Sequence, residues 1–409
     1  MKSAKKVTAQ TLLSDPATVA ISYGGYRANT REVQPSIKEL KEDLKLLSAI
    51  GIKMLRTYNV QLPHATNVVK AISELKAEDP SFEMYVMLGA WIDCKNAWTD
   101  KPVDHDVESE QNREEIARAV ALAQQYPDII KVIAVGNEAM VKWATAYYVQ
   151  PGIILKWVKH LQELKKNREL PSELWITSSD NFASWGGGTS EYHVDDLDQL
   201  IREVDYLSIH TYPMHDTHYN PVFWGIPPQE EQLSKQEKIE QAMNRSVKYA
   251  QSQYNSVKSY MKQIGVKKPI HIGETGWSSY SNELYGSTDS KAVDEYKAAL
   301  FHEKLREWTV ADSIACFYFE AFDESWKDGN NPGGSENHFG LFTKEGNAKY
   351  ALWKLVDQGA FNGLGRNGKP VGKTYNGDIK ALMADVLLPP SKPQVTSHYN
   401  PNPTPDAVP

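Results

Sequence analysis

Two glutamates each close an apolar run in this chain: Lys131-Val-Ile-Ala-Val-Gly-Asn137-Glu138 and Ile270-His271-Ile272-Gly273-Glu274-Thr275-Gly276-Trp277. A carboxylate at the end of an apolar strand is costly to bury unless it has a partner or a reaction to perform. Two of them in matching positions point to a pair of carboxylates at one rim. Glycoside hydrolysis is the chemistry that needs such a pair. One carboxyl group protonates the departing oxygen and the other, about 5 Å from the first across the cleft, attacks the anomeric carbon. Pro269 suits the first residue of a strand. Period-2 alternation then places Ile270, Ile272 and Glu274 on one face. Asn137, directly before Glu138, carries an amide able to bond a sugar 2-hydroxyl.

The elements that must position these groups alternate along the whole chain. Strand-like runs begin at Val19, Ile52, Glu83, Lys131, Leu174, Val204, Ile270 and Ser313. Helical spacing fills the gaps: Ile37, Leu40, Leu44, Leu47 and Ile50 share one stripe, and Gly51 lies just past its end. Similar stretches run from His64 to Lys76, Glu110 to Gln125, Ile153 to Asn167, Val194 to Glu203, Gln236 to Ile264, Ser290 to Trp308 and Asn347 to Gln358. Eight strands alternating with helices imply one α/β domain, a (β/α)8 barrel with enlarged rim loops. An open doubly wound sheet would favour a Gly-rich phosphate turn after the first strand, and Gly24-Gly25 is not that fingerprint. A barrel carries its site at the C-terminal rim. Position therefore gives meaning to Tyr23, Arg56, Tyr58, Asn137, Glu138, Asp180, Tyr212 and Glu274. The expected division is an N-terminal extension over 1–18, the barrel over 19–362, and a C-terminal extension over 363–409. Two segments fall outside the repeating pattern: a long loop from Met214 to about Lys235, and an extended Pro-rich tail from Pro389.

The totals narrow the partners. Across 409 residues, 45 Lys and Arg face 52 Asp and Glu, a net charge of −7, which argues against nucleic acid or an anionic membrane. A neutral sugar polymer acted on by a monomer is the natural inference, and 11 Trp and 21 Tyr suit stacking on pyranose faces. Cys94 and Cys316 make neither a disulfide framework nor a zinc spacing. His210 and His271 lack the clustered partners of a metallohydrolase, so neither metal nor cofactor is expected. The N-terminus is basic with no apolar run behind it, so no signal peptide or membrane span is expected within the chain. Secretion or a periplasmic location remains compatible with a signal already removed.

Several stretches together resemble glycoside hydrolase family 17, the β-1,3-glucan hydrolases of the retaining barrel clan. Val135-Gly136-Asn137-Glu138 and Gly273-Glu274-Thr275-Gly276-Trp277-Ser278 are similar to its two signatures. Leu55-Arg56-Thr57-Tyr58 resembles its second strand end. Phe317-Tyr-Phe319-Glu320-Ala-Phe322-Asp323-Glu324-Ser-Trp326-Lys327, followed by Glu336-Asn337-His338-Phe339-Gly340-Leu341-Phe342, resembles the eighth strand and its loop. The similarity runs from about Val19 to Leu355. It implies Glu138 as acid/base, Glu274 as nucleophile, Asn137 on the 2-hydroxyl, and Tyr212 beside the nucleophile. It also implies that Tyr23, Arg56, Tyr58, Trp277, Glu320 and Glu324 contribute to binding a β-1,3-glucan such as laminarin. A transglycosylase using the same carboxylates, or an inactive glucan-binding barrel, are the alternative outcomes. The chain departs from the plant-type pattern in its longer sixth loop and in Trp143 and Tyr147-Tyr148 after strand four. Inserts there would block one end of an open groove, which raises exo action or a short-oligosaccharide substrate and leaves endo against exo open.

Overall fold

A computed structural model of the chain describes residues 6–283 and 290–398. Eight parallel strands close into a barrel: β1 (Val19–Ser22), β2 (Ile52–Arg56), β3 (Tyr85–Ala90), β4 (Ile130–Asn137), β5 (Trp175–Asn181), β6 (Leu207–His210), β7 (Ile270–Thr275) and β8 (Cys316–Tyr318). Each pairs with its sequence neighbours, and β8 returns to β1 through Ala20 opposite Phe317. The outer ring consists of α1 (Ile37–Ala49), α2 (Pro63–Glu78), α3 (Gln111–Gln125), α4 (Pro151–Lys166), α5 (Asp195–Glu203), α6 (Lys235–Gln263) and α7 (Glu295–Ala311).

Local chemistry sets these boundaries. Ser36 caps α1 and Ser234 caps α6, each exchanging bonds with a glutamate three residues on, Glu39 and Glu237. Proline opens α2 and α4, where a missing N–H costs nothing. On α6 the residues Ile239, Met243, Val247 and Ala250 form one buried stripe against the barrel. The eighth crossover is shorter than the periodicity suggests. It has only a 3-10 turn at Tyr350–Leu352 and a helix at Trp353–Asp357, instead of one helix from Asn347 to Gln358.

Two features were not legible in the pattern. A short helix, Ala9–Leu13, closes the lower end of the barrel. Its Ala9, Leu12 and Leu13 pack with Met54, Met87, Val132, Tyr206 and Phe317 from inside the strands. The C-terminal segment also docks instead of trailing away. Arg366 is fully buried against Asp43, and the Ile226 amide bonds the Pro390 carbonyl at 2.8 Å. Residues 392–398 form a helix. The expectation of an extended tail is thereby corrected up to residue 398; the remainder of that tail lies outside the described residues. Met214 to Lys235 likewise folds locally, with a helix at Pro213–Tyr219 and turns at Pro221–Phe223 and Pro228–Glu230.

Candidate active site

Inward-facing residues change character along the strands. Low in the barrel they are apolar, and near the C-terminal ends they become Arg56, Ser179, Ser208, His210 and the two glutamates. Strict alternation does not deliver Glu274 there. Ile270 and Ile272 join the outer cluster beneath the helices, so an unbroken period of 2 would send Glu274 outward as well. Instead β7 carries an extra residue. Ile209 and His210 are consecutive on β6, but they face Ile272 and Glu274. The same happens on β4, where Ala134 and Asn137 face Thr177 and Ser179. Each bulge resets the alternation and re-aims a side chain. The expectation that Ile270, Ile272 and Glu274 share a face is corrected: the bulge separates Glu274 from the two isoleucines. On β4 the irregular backbone continues, with φ of +82° at Gly136 and +46° at Glu138. A non-glycine residue there is strained, a condition that clusters at working sites. The Glu138 amide is anchored on the Ser179 carbonyl at 3.0 Å, and the Met140 amide on Asp180 Oδ2 at 2.7 Å.

Around Glu274 three donors converge. Tyr212 donates to Oε1 at 2.6 Å and Tyr58 to Oε2 at 3.0 Å, while the Arg56 guanidinium pairs with Oε2. Arg56 also donates to the Gly273 carbonyl at 3.1 Å and to Asn137 Oδ1 at 2.5 Å, so it joins the two glutamate-bearing strands. Burial pushes the Glu274 carboxyl up, but the His210 and Arg56 charges and the two phenol hydrogen bonds outweigh it and hold it at about 2. His210 is itself lowered to about 4 by burial, so at neutral pH Arg56 and the phenols carry this effect.

Glu138 is tuned the opposite way. Burial first, then the charge of Glu274, raises it to about 8, with Arg56 opposing. Its Oε1 lies 3.0 Å from His210 Nδ1, and His210 Nε2 lies 2.8 Å from Ser179 Oγ, which meets Ser208 Oγ at 2.8 Å. A neutral imidazole has one donor and one acceptor nitrogen. It can accept from a protonated Glu138 in one tautomer and donate to the carboxylate in the other. Gly273 leaves room for this chain, since a Cβ there would sit 2.0 Å from Ser208 Oγ and 2.4 Å from Ser179 Oγ. The sequence weighed His210 only as a metal ligand. Its place two residues before Tyr212, at the end of a strand, is the signal that pointed to the site. His271 instead accepts the Ala315 amide at 3.0 Å. Among the described residues no group of three or more His, Cys, Asp or Glu is placed to hold a metal ion.

Arg56, Tyr58, Asn137, Glu138, Tyr212 and Glu274 thus form one constellation. Two other candidates do not join it. Trp277 is 1% exposed, donates its indole N–H to the Ala292 carbonyl at 3.0 Å and packs against Trp224 and Phe301. It supports the sixth loop and presents no face to a sugar. Tyr23 is wholly buried and its hydroxyl donates to Asp43 at 3.0 Å, away from the carboxylate pair. Glu320 and Glu324 share Lys327, at 2.5 and 3.2 Å. Burial holds Glu320 well above the carboxylate range, and its Oε1 has no protein partner.

A pair of buried carboxyl groups, one held protonated and one ionised at neutral pH, is acid and nucleophile equipment. The sequence profile of the BtgE/BtgC glycoside hydrolase domain matches residues 20–340 and so includes both glutamates. The chain belongs to this family. Within it, the putative glucan endo-1,3-beta-glucosidase btgC of Aspergillus niger is 23% identical over 335 residues, covering 80% of this chain and 41% of that protein. The chain spans about two-fifths of the length of that relative. A crystal structure of an endo-laminarinase from Formosa Hel1_33_131 is 64% identical, with a TM-score of 0.93 over 94% of this chain and 98% of its own. A glycoside hydrolase family 17 β-1,3-glucanosyltransferase from Rhizomucor miehei, 18% identical, shares the fold with a TM-score of 0.56 over 82% of this chain and 96% of its own.

Proposed function

We propose that this member of the family is an endo-acting β-1,3-glucan hydrolase of the family 17 type, cleaving laminarin with retention of configuration. The carrying observation is the unlike setting of the two buried carboxyl groups: Tyr212, Tyr58 and the Arg56 guanidinium hold Glu274 ionised, whereas Glu138 meets the His210 imidazole, and burial and the negative field of Glu274 raise it. In the first displacement a Glu274 oxygen bonds to the anomeric carbon as the glycosidic bond breaks, and Glu138 gives its proton to the departing oxygen. In the second, water attacks the same carbon and gives a proton back to Glu138, and the bond to Glu274 breaks. Arg56, Tyr58 and Tyr212 keep the nucleophile ionised and aimed. The sugar 2-hydroxyl falls to Asn137, whose Oδ1 is already held by Arg56. His210 takes or returns hydrogen-bond character as Glu138 changes protonation. The 64% identical endo-laminarinase supports laminarin as substrate and endo action, and weighs against exo action despite the inserted loops.

The test is a timed digest of laminarin followed by product sizing and by NMR of the new reducing ends. Internal cuts give a ladder of laminari-oligosaccharides early, and the β anomer accumulates first. Release of glucose alone from the start would overturn endo action, and the α anomer first would overturn the mechanism.

A further inference from the structure

The loops after β3 and β4 are tied into one unit beside the catalytic carboxylates. The first folds into a hairpin of Cys94–Lys95 and Asp104–Glu108. The Cys94 amide donates to the Tyr147 carbonyl at 3.1 Å, and the Gln150 amide to the His105 carbonyl at 3.2 Å. The His105 ring lies flat on Tyr148 with centroids 3.6 Å apart. Inside this hairpin Trp98 holds a φ of +61°, a left-handed conformation that strains a bulky residue. The residue is nevertheless 63% exposed. One side of the ring stacks on Tyr147, with centroids 5.1 Å apart and planes 22° from parallel, and Trp91 packs against both. Below them burial raises the Asp93 carboxyl, while the Ser109 hydroxyl and the indole N–H groups of Trp91 and Trp98 draw it back down.

Packing alone gives no reason to hold an indole in a strained backbone with its ring to solvent. A ligand with a flat apolar face gives one, and a pyranose with equatorial hydroxyls has such a face. We propose that Trp98, backed by Tyr147, is the stacking platform for a glucosyl unit on the leaving-group side of the scissile bond. The side follows from the acid. Glu138 hands its proton to the departing oxygen, and Tyr147 stands on the loop that leaves the strand of Glu138 itself, where the Val149 amide bonds the Ala139 carbonyl at 2.7 Å, while Glu274 reaches in from β7.

The assignment rests on the glucan hydrolase reading, and the experiment separates the two. For Trp98→Ala, kcat/KM on laminarihexaose falls about tenfold. On an aryl β-laminaribioside, whose aryl group replaces every sugar beyond the scissile bond, the loss is at least about fivefold smaller. Calorimetric titration of laminarihexaose into Glu274→Gln and into Glu274→Gln/Trp98→Ala gives a Kd about tenfold weaker in the second, ~1.4 kcal/mol. Trp98→Phe, which keeps a ring in place, falls between. Equal losses on the two substrates, or an unchanged Kd, would overturn the platform. A native enzyme that binds laminarihexaose without cleaving it would sink the hydrolase reading alone, and the Kd comparison would still decide Trp98.

Discussion

At the scale of single residues, two glutamates of identical chemistry are driven apart by their surroundings. Glu274 has a guanidinium and two phenols, whereas Glu138 has burial, a negative neighbour and a neutral imidazole. The rate therefore rises as Glu274 ionises through about 2 and falls as Glu138 loses its proton through about 8. Glu138→Gln should flatten the basic limb on an activated aryl glycoside, where little protonation is needed; an unchanged limb would move the acid to another group, such as Glu320. Glu274→Ala should fold yet lose at least about a hundredfold in rate, ~2.7 kcal/mol of barrier. More than a tenth of native activity would refute the nucleophile assignment. Stability carries the same signature with opposite signs. Glu138 keeps a proton in the folded state that the unfolded chain gives up above its ordinary 4.5, so its contribution is lost as pH rises from there to about 8. Glu274 contributes above 4.5 and loses that contribution as pH falls toward about 2. The melting temperature of Glu138→Gln relative to native should accordingly be higher at pH 8.5 than at pH 5, and no difference between the two would remove burial as the cause of the shift.

At the scale of elements, the two bulged strands are what bring the carboxylates together. The extra residue on β4 lies at the strained turn of Gly136 to Glu138, and the one on β7 lies beside Gly273. Gly273 can have no side chain because Ser208 and Ser179 occupy its Cβ position while they hold His210. Gly273→Ala should cost about 1–3 kcal/mol by overpacking. It should also weaken the His210 contact and shift the basic limb of the pH profile. Urea unfolding and the pH profile read these separately. A normal profile with lowered stability would show that the serine chain does not reach the acid.

Across the whole molecule, segments distant in sequence close the barrel from several directions. The N-terminal helix seals its lower end, and Arg366 brings the C-terminal segment onto Asp43, where Arg27 also pairs at 2.9 Å. Without Arg366, Asp43 keeps Arg27 and the Tyr23 hydroxyl but loses two buried hydrogen bonds, so Arg366→Ala should cost about 1–3 kcal/mol. The carboxylate pair lies apart from this cluster, so the remaining folded enzyme should keep a native pH profile. A loss below about 1 kcal/mol in urea titration would mean that Arg27 and Tyr23 satisfy Asp43 without Arg366.

The sequence by itself determined the architecture and the place of the chemistry. Hydrophobic periodicity reports which face of each element is buried, and eight alternations of strand and helix leave few topologies besides a barrel. Two glutamates ending apolar runs were visible as a rim pair for the same reason, since an apolar strand states where it stops. The tertiary structure decided which way side chains turn once the periodicity breaks. A bulge is defined by its partner strand, so nothing within Ile270 to Glu274 announces that Glu274 leaves the face of Ile272. Trp277 and Tyr23 read as rim residues because they stand at strand ends. The neighbours that enclose them, Trp224 with Phe301 and Asp43, come from distant segments. His210 has the same chemistry whether it binds a metal or a carboxyl group, and only the approach of Glu138 across the barrel chooses between them.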